Sequence, residues 1–146
     1  MQVIGICRFS YPAVGGFQVE HDSIQDRMAY LYAPQRMEAR FALFEAFTLP
    51  CLRAQTDPDF TFVIVTGDSL PKPYLDRLKH LIADIPQNQL QQHASGPHRA
   101  VMKTAIDAVR IATKEPCLQF RLDDDDAFAV SFVETLRAKA ALARPL

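Results

Sequence analysis

Cysteine is scarce in this chain and none of it is arranged for chemistry. The 146 residues hold three, Cys7, Cys51 and Cys117, an odd number with no Cys-x-x-Cys pair. That argues against a disulfide framework or a zinc knuckle. Cys7 and Cys117 lie in apolar runs and read as small buried hydrophobes of a reducing compartment. A basic excess is also lacking. The net charge of −1 argues against a general nucleic-acid binder, so no nucleic-acid partner is expected. The apolar run of "MQVIGICRF" is too short for a membrane span or a signal peptide and has no basic leader, which makes the cytoplasm the default location. No G-x-S-x-G, G-x-G-x-x-G or P-loop pattern occurs, and "AVGGF" (13–17) is too slight to cradle phosphate alone. There is no internal repeat. What is present is ordinary globular material, 49% hydrophobic and 23% charged, enough for one domain with a real core.

Four short apolar runs read as strands: "QVIGICRF" (2–9), "FTFVIVTG" (60–67), "NQLQQHA" (88–94) and "CLQFRL" (117–122). The second is continuously apolar and β-branched, as a strand covered on both faces should be. The glutamines of the third place it nearer a sheet edge. Helical patterns fill the intervals. "APQRMEARFALFEAFTL" (33–49) opens on Pro34 and sets Met37, Phe41, Phe44 and Thr48 on one face. Pro50 should kink or end that helix. Further helices are predicted over 71–85, 97–114 and 127–143. Strands alternating with such helices imply an α/β fold with a mostly parallel sheet. The stretch from Ser10 to Ala33 is long for a connection, and loops of that length are usually functional.

The densest chemical signal is "DDDD", Asp123 to Asp126, directly after the fourth apolar run. Alternate residues of a strand share a face, so Asp123 and Asp125 should project together and Asp124 away. Two carboxylates about 4 Å apart repel by about 4 kcal/mol at an effective dielectric of about 20. A hard divalent cation, Mg²⁺ or Mn²⁺, would relieve that. The plainer alternative is a solvated cap, with Asp126 at the N-cap of the final helix and the preceding acids on its dipole. In open α/β sheets ligands sit outside the carboxyl ends of strands where strand order reverses. The aspartates, "RFS" (8–10) and "TGDS" (66–69) all follow strands, so one cleft could collect all three.

These segments resemble the nucleotide-diphospho-sugar glycosyltransferases of the GT-A fold. "LPCLRAQTDPDFTFVIVTGDS" (49–69) is similar to that family's helix end, second strand and acidic base-binding loop, "GPHRAVMKTAIDAV" (96–109) to the segment opening the helix before the metal strand, and "QFRLDDDDA" (119–127) to the strand ending in D-x-D. More narrowly, "ICRFSYP", "GGFQVEH" and "FRLDDDDA" resemble bacterial proteins labelled rhamnosyltransferases, over essentially the whole chain. The resemblance implies a Rossmann-like GT-A half-domain, strand order 3-2-1-4, spanning 1–146 and ending before the acceptor-binding half and its general base. It implies donor contacts from Arg8, Ser10, Asp68, Arg99, Asp123 and Asp124, and a metal held by Asp125 with Asp123 and Asp126 in support. His98 and Ala100 depart from the family's Ala-Arg-Asn around Arg99. The implied partners are a nucleotide-sugar donor and a carbohydrate or lipid-linked acceptor, at the inner membrane face or free in the cytoplasm. A homo-oligomer is compatible with an open sheet edge. Two competing readings are a sugar-nucleotidyltransferase, poorly served by "CRFSYPAVGG", and a metal- or partner-binding module without catalysis.

Among the remaining residues, Arg121 is placed to pair with a carboxylate or a phosphate, and His98 and Arg99 at a helix start suit an anion. His21 and His80 read as surface residues, and Phe41, Phe44 and Phe47 as core.

Overall fold

A computed structural model describes residues 1–16 and 20–143. The middle of "GGFQVEH" (17–19) and the last three residues (144–146) lie outside the described residues. Four strands, β1 (Val3–Arg8), β2 (Thr61–Gly67), β3 (Asn88–His93) and β4 (Leu118–Arg121), form one all-parallel sheet in the order β3-β2-β1-β4. Among the described residues six α-helices accompany it: α1 (Ile24–Leu31), α2 (Pro34–Leu43), α3 (Leu49–Arg53), α4 (Lys72–Ile82), α5 (His98–Asp107) and α6 (Phe132–Leu142). This is the expected Rossmann-like arrangement, with the glutamine-rich strand at one edge.

Alternation along the two central strands feeds two cores. Val3, Cys7 and Phe9 of the first strand segment join Phe62 and Ile64 against Met37, Phe41, Leu52, Leu78 and Val133 from α2, α3, α4 and α6. Ile4, Ile6, Val63 and Val65 face the other way, onto Ala105 of α5 and the Tyr11–Ala13 segment. Gly5 sits between them under steric pressure. Its register partners are Phe62 and Phe120, whose rings lie stacked with centroids 6.2 Å apart. A Cβ on Gly5 would stand 2.4 Å from the Phe120 ring and 2.6 Å from Phe62.

Four expectations need correction. The long connection after β1 contains α1, started by Ser23, whose Oγ accepts the Asp26 N–H at 3.1 Å; an N-cap serine ahead of Leu31 was its signal. Pro50 does not end the helical run, which continues through α3 to Arg53. The missing N–H is absorbed by a π-helical turn, Phe44–Thr48, after which Leu49 N–H reaches Phe44 O and α3 runs on. That turn rotates Phe47 out to 51% exposure while Phe44 stays buried. The last two helices are shorter than their apolar patterns. α5 stops at Asp107, and α6 begins at Phe132, five residues past the expected start.

The late start of α6 has a tertiary cause. Gln55 binds the segment before it: Nε2 donates to Cys51 O and Ala129 O, both at 2.9 Å, and Oε1 accepts the Val133 N–H at 3.1 Å. Thr56 N–H takes Val130 O at 2.8 Å. The carbonyls that would extend the helix backwards are thus spoken for, and the cap comes from a residue remote in sequence. Asp126 is not the N-cap; Ser131 holds that position without a side-chain cap.

Candidate functional site

Strand order reverses between β1 and β4, which opens a crevice at their carboxyl ends. The chain leaves β1 through Arg8, and Phe9 N–H returns to Val65 O at 2.8 Å. Ser10 then adopts φ +48°, a left-handed conformation uncommon in a non-glycine residue, while buried at 5% exposure. Arg8, Ser10 and Tyr11 line one wall of a cavity of about 180 Å³. Arg36 and Arg40, one helical turn apart on α2, line another, and Asp123, Asp124 and Asp125 complete it.

The aspartates do not continue the strand. β4 ends at Arg121, and a turn follows in which Asp126 N–H donates to Asp123 O at 3.2 Å. Thr48 of the π-helical turn holds it in place, donating from Oγ1 to Asp126 O at 2.8 Å. Strand alternation therefore fails here. Asp124 is the inward residue, 6% exposed, and it shares one guanidinium with Asp125. Arg40 Nη1 lies 2.9 Å from Asp124 Oδ1 and Nη2 3.1 Å from Asp125 Oδ2. Asp123 pairs instead with Arg121, Nε to Oδ1 at 3.0 Å and Nη2 to Oδ2 at 3.2 Å. The repulsion expected among the acids is met within the protein by two arginines.

Burial dominates the electrostatics. It raises Asp124 to about 6 against the pull of Arg40, with Asp125 adding to the rise. Arg40 also loses solvent, yet Asp124 and Asp125 hold its pKa above the ordinary arginine value. Arg36 is lowered by burial and then by Arg40 beside it. Its Nη1 donates to Ser10 Oγ and to Leu31 O, both at 2.8 Å, and its guanidinium carbon lies 5.5 Å from the Tyr30 ring centroid. Cys7, beneath the aspartates, is raised by burial and by their charge, which leaves an inert thiol.

The cavity thus gathers Arg8, Ser10, Asp123, Asp124 and Asp125 of the sequence-derived residues. Asp126 is exposed on the outside of the turn. Asp68 is exposed at the end of β2, its N–H on His93 O at 3.0 Å. It adds, after burial, to the raised pKa of Tyr11 and Tyr32. Arg99 lies in a separate groove on α5 with His98, Lys103 and Arg110. His98 links the two places: its Nδ1 is 3.4 Å from Arg8 Nη1, and burial and then Arg8 lower its pKa. His21 is half-buried, its Nδ1 accepting from Arg27 Nε at 3.3 Å, whereas His80 is exposed. Arg36 and Arg40 escaped the sequence reading. Their signal was a pair of cations at i and i+4 flanking the apolar stripe of Met37 and Phe41.

For a divalent ion the donor set is hard oxygen. Asp123 and Asp125 keep 43% and 38% of their side-chain surface exposed, and Asp125 engages Arg40 through Oδ2 only. Among the described residues no group of three or more His, Cys, Asp or Glu is close enough to cage an ion. The residues fit a cation that takes one or two carboxylates from the protein and its other ligands from phosphate and water, a usual Mg²⁺ arrangement.

Fold and crevice define an α/β protein with a polar pocket at its topological switch point. The chain belongs to the family described as "Putative rhamnosyl transferase", whose sequence pattern matches residues 2–146. No curated protein and no solved structure matches the chain. Among the described residues no helix is long and apolar enough to cross a membrane.

Proposed function

We propose that the chain carries the donor-binding part of a GT-A glycosyltransferase, moving a sugar, rhamnose by the family description, from a nucleoside diphosphate to an acceptor hydroxyl. The observation that carries this reading is the placement of arginines and aspartates together around one crevice at the β1–β4 switch point, in a chain whose family is a sugar transferase. Arg8 and Ser10 border the donor, and the inward Asp124 with Arg40 fixes the shape of the aspartate turn. Asp68 and Arg99 stand outside the cavity and are assigned to its approaches, Asp68 toward the base and Arg99 toward the nucleotide. Asp125, supported by Asp123 and Asp126, would hold Mg²⁺ or Mn²⁺. When bound, that ion would neutralise charge on the departing diphosphate.

The test is thermal unfolding with Mn²⁺ and dTDP, UDP, GDP or ADP, on wild type and Asp125→Asn. A ligand present at 100 times its Kd adds about 2.7 kcal/mol of stability. Stabilisation of the wild type by one nucleotide with metal, lost in the variant, is the expected result. A folded protein that no nucleotide stabilises would count against the reading.

A further inference from the structure

The cations of the crevice are not equivalent. Arg40 is spent on Asp124 and Asp125, and Arg121 on Asp123. Arg36 forms no ion pair with any described residue, although it lines the same cavity and is only partly exposed. Both Nη1 bonds go to neutral oxygens, Ser10 Oγ and Leu31 O. The buried Asp124 attracts Arg36 but is paired directly with Arg40, so Arg36 has lost solvent without a carboxylate in contact, and its planar fork suits phosphate oxygens. The protein also invests in its position. Ser10 is held at φ +48° and buried, with its hydroxyl on Arg36, and Tyr30 flanks the guanidinium. Neighbouring Arg40 repels Arg36, which adds to its demand for an anion.

We infer that Arg36, held by Ser10 and Leu31 and lining the same cavity as Arg8, is an anchor for a diphosphate group, and that this anchor works without a metal ion. The inference rests on the donor-binding reading and names the part of the donor that Arg36 takes. Phosphate oxygens accept from the Arg36 nitrogens that face the cavity, while the aspartate turn keeps its own arginine. A metal held by Asp125 would neutralise diphosphate charge from a separate place, independently of Arg36. This assigns a binding residue that the aspartate motif does not reveal.

The experiment is calorimetric titration of the full chain with inorganic pyrophosphate in EDTA at low ionic strength, on wild type, Arg36→Met, Arg36→Lys and Arg77→Met. Arg77 lies on α4 and pairs with Glu38 and Glu45 away from the cavity, so it controls for general loss of charge. Loss of a charge-assisted phosphate contact should weaken binding by about ten- to hundredfold in Arg36→Met. Arg36→Lys should recover part of that loss, and Arg77→Met should match wild type. The lysine variant keeps the test sound if the methionine variant folds poorly. Equal binding by wild type and Arg36→Met overturns the anchor, as does a folded wild type that takes no pyrophosphate. A parallel titration with nucleoside diphosphates and Mn²⁺ separates the two readings. Nucleotide binding that ignores Arg36 removes the anchor and leaves the transferase. Arg36-dependent pyrophosphate binding without any nucleotide binding keeps the anchor and removes the transferase.

Discussion

Two arginine-bearing regions flank Arg8 at the end of β1, and they are built differently. In the switch-point cavity Arg8, Arg36 and Arg40 are partly buried and each is oriented by an acceptor, Arg8 by Gly16 O at 2.9 Å, Arg36 by Ser10 Oγ and Arg40 by the buried Asp124. In the α5 groove Arg99 and Lys103 on the helix and Arg110 beyond its end are exposed, and Lys103 forms an i,i+4 pair with Asp107. The presence of cations alone does not distinguish them. Burial and fixed orientation do, because only a cation that has lost water gains much from a ligand.

The largest effect that should follow is on Arg40. Arg40→Met leaves Asp124 buried without its partner and should cost about 3–4 kcal/mol in chemical denaturation. Asp124→Asn in the same chain should return most of that, a coupling that additive losses would contradict. Next comes pH. Asp124 is raised in the folded state to about 6, so the native protein binds this proton more tightly than the unfolded chain does. Its contribution therefore falls as pH rises from about 4 to 6, by on the order of 3 kcal/mol, and is constant above. Asp124→Asn should flatten the stability profile over that window; an unchanged profile would show that burial does not act there. Gln55→Ala removes the remote cap of α6 and should cost about 1–2 kcal/mol, with hydrogen exchange rising first in the opening turn of that helix. Smallest of all, Arg99→Ala on the exposed groove should shift stability by less than about 0.5 kcal/mol. A larger loss would erase the contrast between the two regions.

The sheet was legible because its information is local. Unbroken apolar β-branched residues mark β2, glutamines mark the edge strand β3, and strand–helix alternation implies parallel pairing. The family resemblance reached the aspartates for the same reason, since they are contiguous. What could not be read is what tertiary contacts decide. The face on which Asp124 lies depends on where β4 stops and on Thr48 gripping the turn from a π-helical segment. The start of α6 depends on Gln55, and the role of Arg36 depends on the backbone of Ser10. Pro50 misled for a related reason, because the missing hydrogen bond was absorbed upstream of it.

The measurement that bears most directly on the central claim is amide chemical-shift mapping of the 16.4 kDa chain, using whichever of the four nucleoside diphosphates stabilises it most, with Mg²⁺. If the switch-point crevice is the donor site, the largest shifts fall on Ser10, Tyr11 and Leu122–Asp126. If they fall on Lys103–Arg110 while those amides stay still, the exposed groove is the binding surface and the account given for the crevice is wrong.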